Sequence, residues 1–109
     1  MEQAWYVEDQ QAYEEHMTFT ALRRKARKKM ESVMRALGVS LPDDDYNYSG
    51  WKAVRCPFHA DRRASASVNL QKNYFRCHAC DISGDPVRIV MSGRGWDEEK
   101  AVTWILNST

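Results

Sequence analysis

Three cysteines and one histidine are the residues of this sequence with the sharpest chemistry. Cys56-Pro57-Phe58-His59 is followed by seventeen residues and then by Cys77-His78-Ala79-Cys80. Two residues separate the ligand-type side chains of each pair, a spacing that lets a tight turn aim both at one ion. Zinc in a structural role takes four ligands in a closed tetrahedron, and three thiolates with one imidazole are a common set. Thiolates also suit this borderline-soft metal better than calcium or magnesium. Without a metal, the same residues would be three buried cysteines and a histidine, yet no cysteine lies outside the two pairs. An iron–sulfur cluster usually takes four cysteines and fits the set less well. His78 competes with His59 for the fourth place. The inner residues of a Cys-x-x-Cys turn normally point away from the ion, so His59 is favoured. His16 lies far from any ligand spacing and reads as a solvated histidine.

Four protein ligands leave no open position for an activated water, so this zinc is structural rather than catalytic. The rest of the chain offers no phosphate-cradling Gly-rich loop and no nucleophile–base pattern free of metal duty. Asp43-Asp44-Asp45 could suggest magnesium, but adjacent carboxylates in a polar loop are more often solvated. A non-enzyme is expected. Structural zinc in small domains contributes on the order of 10 kcal/mol, against roughly 1–2 kcal/mol of backbone entropy per ordered residue. Residues 51–95, with few large aliphatics, are therefore expected to lose their fold on chelation.

The two metal turns need elements to bring them together. Trp51–Arg55 reads as a strand leading into the first pair. Ala64–Leu70 and Asn73–Arg76, parted by a turn near Gln71-Lys72, read as a hairpin leading into the second. Upstream, Leu22, Ala26, Met30, Val33, Met34 and Leu37 recur at three- and four-residue steps, which predicts one amphipathic helix from Thr20 to Leu37 with Gly38 at its end. Downstream, Asp85-Pro86 starts a short helix with Val87, Val90 and Met91 inward. Gly93 and Gly95 break the chain, and Asp97 caps a last helix with Ala101, Trp104 and Ile105 on its apolar side. The expected fold is α+β: a zinc ribbon, a small antiparallel sheet with zinc at one end, flanked by helices. Residues 1–20 form a separate acidic segment in which Tyr6, Tyr13 and Met17 can share a helical face; residues 21–109 form the ribbon domain.

The 109 residues suffice for one modest core. Sixteen basic and fifteen acidic residues give a net charge of +1, which hides a strong segregation. Residues 1–20 hold five acids and no Lys or Arg, whereas residues 21–35 hold seven bases against Glu31 alone. No apolar run approaches the roughly 20 residues that span a bilayer. The acidic start lacks the pattern of a secretory signal, and an odd cysteine count argues against a disulfide framework. The expected setting is cytoplasmic. Around the strands, Arg55, Arg62, Arg63, Lys72 and Arg76 surround Trp51, Tyr74 and Phe75. Bases stack on aromatic faces while Arg and Lys neutralise phosphates, the usual make-up of a single-strand-binding surface. Strand alternation places Tyr74 and Arg76 outward and Phe75 in the core. For Trp51 and Tyr74, packing against the flanking helices is the competing arrangement. The run Arg23-Arg24-Lys25-Ala26-Arg27-Lys28-Lys29 is either a second phosphate-contacting surface or a solvated face offset by the N-terminal acids.

Cys56-Pro57-Phe58-His59, Ser65-Ala66-Ser67-Val68-Asn69, Tyr74-Phe75-Arg76-Cys77-His78-Ala79-Cys80 and Gly84-Asp85 together resemble the Cys-His-Cys-Cys zinc domain of bacterial and phage DNA primases. The likeness covers about residues 22–106. Ala64 stands where the family usually has Pro, and Ala79 near the family's Gly; neither is a ligand. The resemblance implies a zinc module that contacts single-stranded template and helps choose the initiation site. Family primases continue into a magnesium-dependent catalytic domain, and a complete primase is not expected from these 109 residues. The expectation is therefore a non-catalytic module contacting single-stranded DNA in trans with a separate primase catalytic subunit or a helicase. The alternative is a protein-interaction or regulatory module with the ribbon as scaffold and residues 1–20 docking a partner such as RNA polymerase, a replication protein or a host factor. A duplex-binding transcription regulator is a third reading.

Overall fold

The computed structural model describes residues 18–43, 50–60 and 62–108. Helix α1 covers residues 18–26 and helix α2 Met30–Ala36. Strands β1 (Trp51–Val54), β2 (Ala66–Asn69), β3 (Tyr74–Cys77) and β4 (Ser83–Gly84) follow, then helices α3 (Pro86–Arg94) and α4 (Glu98–Ser108). The strands form one antiparallel sheet in sequence order. The architecture is α+β, as the alternating and helical patterns predict.

Register decides what each sheet face does. Directly paired residues share a face, so Val54, Ala66 and Cys77 lie together, and Lys52, Val68 and Phe75 extend the same face. Val54, Ala66, Val68, Phe75 and Cys77 are buried there, in a core shared with Met30, Val33, Met34, Ile89, Val90 and Ile105 from the helices. The opposite face carries Trp51, Asn69 and Tyr74 in one row and Ala53, Ser67 and Arg76 in the next. Phe75 is fully buried while Tyr74 is 40% exposed, the arrangement that alternation predicts.

The single helix expected over Thr20–Leu37 is two helices. Residues 27–29 leave the helix, and the Met30 backbone N–H donates to Asn73 Oδ1 at 3.1 Å. Lys29 sits at the N-cap position without a capping side chain, so a residue of the β2–β3 turn caps α2 from outside. Asn73 adopts a left-handed backbone with φ 53°, which Asn tolerates. The break also takes Leu22 out of the apolar stripe: it is 38% exposed, whereas Ala26, Met30, Val33 and Met34 are buried. At its other end α2 closes as expected. Gly38 is left-handed, its N–H donates to the Arg35 carbonyl, and Val39 N–H donates to the Met34 carbonyl.

The Asp85 carboxylate caps α3 by accepting from Arg88 N–H at 2.9 Å, and Asp97 caps α4 through Lys100 N–H at 2.8 Å. Gly95 ends α3 in the left-handed conformation. Gly93, however, does not break the chain; it lies inside α3. Inward residues differ in part from expectation: Val87, Ile89 and Val90 are buried on α3, and Ala101, Val102 and Ile105 on α4, with Met91 and Trp104 half-buried. Residues 1–17, including the acidic segment's proposed helical face, lie outside the described residues.

Candidate metal centre and outer sheet face

The turn after β1 and the turn after β3 meet at one end of the sheet. Their ligand-type atoms, from Cys56, His59, Cys77 and Cys80, all lie within 4.8 Å of one another. Cys56 Sγ is 3.6 Å from Cys80 Sγ, and His59 Nε2 is 3.4 Å from Cys77 Sγ. Tetrahedral zinc, with bonds near 2.3 Å to sulfur and 2.0–2.1 Å to nitrogen, requires edges of about 3.8 Å and about 3.6 Å. Both observed edges lie within about 0.2 Å of these values, so the donor set fits one zinc ion. His59 Nδ1 is 3.2 Å from the Ala60 carbonyl. A proton on Nδ1, donated there, leaves the Nε2 lone pair free for the metal. His78 is exposed and outside the cluster.

Electrostatics around the sulfurs is uneven. Burial pushes the Cys56 thiol up to about 12 against some relief from the Phe58 N–H, which lies 3.5 Å from its sulfur. Burial also opposes ionisation of Cys77, but the Ser65 hydroxyl, His59 and the Ala79 and Cys80 backbone N–H groups outweigh it and bring Cys77 down to about 6. Ser65 Oγ sits 3.5 Å from Cys77 Sγ. Nothing in the ligand spacing signals that second contact. A cation among these sulfurs would favour all three thiolates, which the metal-free site disfavours by mutual proximity.

Phe58, between the first two ligands, ties the metal turn to the core. Its ring meets Phe75 edge-on, with centroids 6.0 Å apart and planes at 86°. On its other side is Gly93 of α3, where an added Cβ would fall 2.2 Å from Phe58 Cδ1. Gly93 thus serves close approach between helix and metal turn, a role that an isolated glycine in a helical pattern can signal.

On the outer sheet face, Trp51 and Tyr74 form an edge-on pair with centroids 6.2 Å apart, and the Arg76 guanidinium lies over the Trp51 ring at 5.9 Å. Three of the seven residues expected to contact nucleic acid are thereby brought together. Lys72 stands beside them, exposed in the β2–β3 turn. Arg55, Arg62 and Arg63 are exposed near the metal end, with no acidic partner among the described residues. The basic helix is partly spoken for within the fold. Arg23 pairs with Glu98 at 3.2 Å and Arg27 with Asp85 at 3.5 Å, joining α1 and the break that follows it to the starts of α4 and α3. Among the described residues, no helix is long and apolar enough to cross a membrane.

Comparison with known proteins agrees with this geometry. The CHC2 zinc finger of the DnaG zinc ribbon matches residues 15–109. A DNA primase of Helicobacter pylori is 49% identical over 37 residues, 34% of this chain and 7% of the primase. A DNA primase of Clostridium acetobutylicum is 31% identical over 67 residues, 62% of this chain and 11% of that protein. The gene 58 protein of Mycobacterium phage D29 is 39% identical over 49 residues, 45% of this chain and 36% of that protein. The matched segments thus span about a third or less of these relatives' own length. Four convergent Cys and His donors at the end of a four-stranded sheet, and a match running over nearly the whole sequence, place this chain in the CHC2 zinc-finger family, the zinc ribbon of DnaG-type DNA primases.

Proposed function

We propose that this zinc-binding, primase-like module contacts single-stranded template DNA through the outer face of its sheet. In this reading residues 21–109 act as one unit, non-catalytic and cytoplasmic, working in trans with a separate primase catalytic subunit. Zinc is held by Cys56, His59, Cys77 and Cys80 and staples the two turns that frame the sheet. The observation that carries the reading is the Trp51–Tyr74–Arg76 cluster. Two aromatic rings and a guanidinium sit together on the sheet face opposite the one packed into the core, where bases can stack and phosphates can pair. Base–aromatic stacking is worth about 1–3 kcal/mol per base.

The test is a salt titration with fluorescent single-stranded and duplex oligonucleotides. Single-strand preference with a steep salt dependence is expected, and Trp51→Ala and Tyr74→Ala should each weaken binding by about 1–3 kcal/mol. Absence of oligonucleotide binding at low salt would instead favour a module that docks a protein partner through residues 1–20. Preference for a defined duplex would favour a transcription regulator.

A further inference from the structure

Between the β2–β3 turn and the start of α3 lies a notch of about 400 Å³, lined by Lys72, Tyr74, Ser83, Gly84, Asp85 and Arg88. It adjoins the outer sheet face because Tyr74 belongs to both. Arg88 is exposed on the first turn of α3, and Gly84 sets its path. A Cβ at Gly84 would fall 2.6 Å from Arg88 Cδ and 3.0 Å from its Cβ and Cγ. The methylene chain of Arg88 therefore lies against Gly84 of β4, where only glycine leaves room, and Arg88 is one of the residues that line the notch. Neither Lys72 nor Arg88 has an acidic side-chain partner among the described residues. The one carboxylate present, Asp85, is already engaged: Oδ1 accepts from Arg88 N–H and Oδ2 faces Arg27. The notch thus presents two cations without a direct ion-pair partner among the described residues, beside an exposed aromatic ring.

We propose that this notch holds one backbone phosphate of a single strand whose neighbouring base stacks on Tyr74. Lys72 and Arg88 are the cations, and the strand runs off the outer sheet face towards α3. This rests on the template-binding reading above and adds to it a path and a residue, Arg88, outside the metal turns and the hairpin.

The test uses the zinc-loaded full chain, a fluorescent oligothymidylate and a salt titration. One phosphate contact on a single strand contributes about 0.7 to the slope of log K against log salt. Its loss, taken from a 1 M reference down to 50 mM salt, corresponds to about eightfold weaker binding. The Lys72→Gln/Arg88→Gln variant should show both changes with its zinc content intact, while Arg88→Lys keeps the slope. Wild-type slope and affinity in the double variant, with binding still weakened by Trp51→Ala, would overturn the notch and leave the sheet face standing. No oligonucleotide binding by the wild-type chain would remove both.

Discussion

Replacing Gly93 by alanine sets two effects of known size against each other. Helix propensity favours the change, since Gly→Ala inside a helix is worth about 1 kcal/mol. Packing opposes it. The new Cβ would lie 2.2 Å from Phe58 Cδ1 and 2.4 Å from Phe58 Cε1, where carbon contacts normally fall near 3.5–4.0 Å. The ring or the helix must give way by more than about an ångström. The ring has little retreat, because Phe75 behind it is fully buried. Nor is Phe58 an isolated side chain: its N–H approaches Cys56 Sγ, and His59 follows it in the chain. Overpacking of this kind costs about 1–3 kcal/mol, and the ring contact places Gly93 at the upper end. The net effect expected is a destabilisation of about 2 kcal/mol, or a melting temperature lower by about 10 °C for a domain of this size. Thermal unfolding of the zinc-loaded protein, followed by far-ultraviolet circular dichroism, reads it directly. Phe58→Leu should cost less in the Gly93→Ala background than alone, since the smaller side chain relieves the clash. A melting temperature equal to or above the wild type would show that α3 does not press on the metal turn, and the coupling between them would be refuted.

Three further outcomes are expected. Asn73→Gly keeps the left-handed backbone but removes the cap on Met30, and should cost about 1 kcal/mol in the same melting assay; no loss would mean that the α1–α2 break needs no outside cap. His59→Ala should reduce zinc affinity severely and His78→Ala should leave it unchanged, measured by competition with a chromophoric chelator; the reverse order would reassign the fourth ligand. In the metal-free chain Cys77 lies at about 6 against an ordinary 9.0, so its contribution to stability is complete above 9.0 and is lost as pH falls through about 6. Protons compete with zinc for the same donors, so the ion should leave on acidification with release steepening below about pH 6; retention of full zinc down to about pH 4 would contradict this.

The metal centre was legible in the sequence because its information is local. Two short turns each fix a pair of side chains, and a hairpin signal between them says how they meet. Phe75 inward with Tyr74 outward follows from alternation in the same way. The features that escaped depend on contacts from afar. The stripe from Leu22 to Leu37 looks continuous along one helix, but the cap that splits it comes from Asn73, 43 residues away. Gly93 resembles a helix breaker until the Phe58 ring is seen against it. Strand β4 has only two residues, too few for any period to register. Part of the charge pairing is equally non-local. Arg23 and Arg27 find partners in Glu98 and Asp85 near the far end of the chain, a pairing that no local pattern encodes.

Zinc content and coordination of the purified chain, by elemental analysis together with X-ray absorption at the zinc edge, bear most directly on the four-ligand site. One zinc per chain is expected, with three sulfurs near 2.3 Å and one nitrogen near 2.0–2.1 Å. No stoichiometric metal, or a Cys77→Ser chain that stays folded and indifferent to chelator, would contradict it.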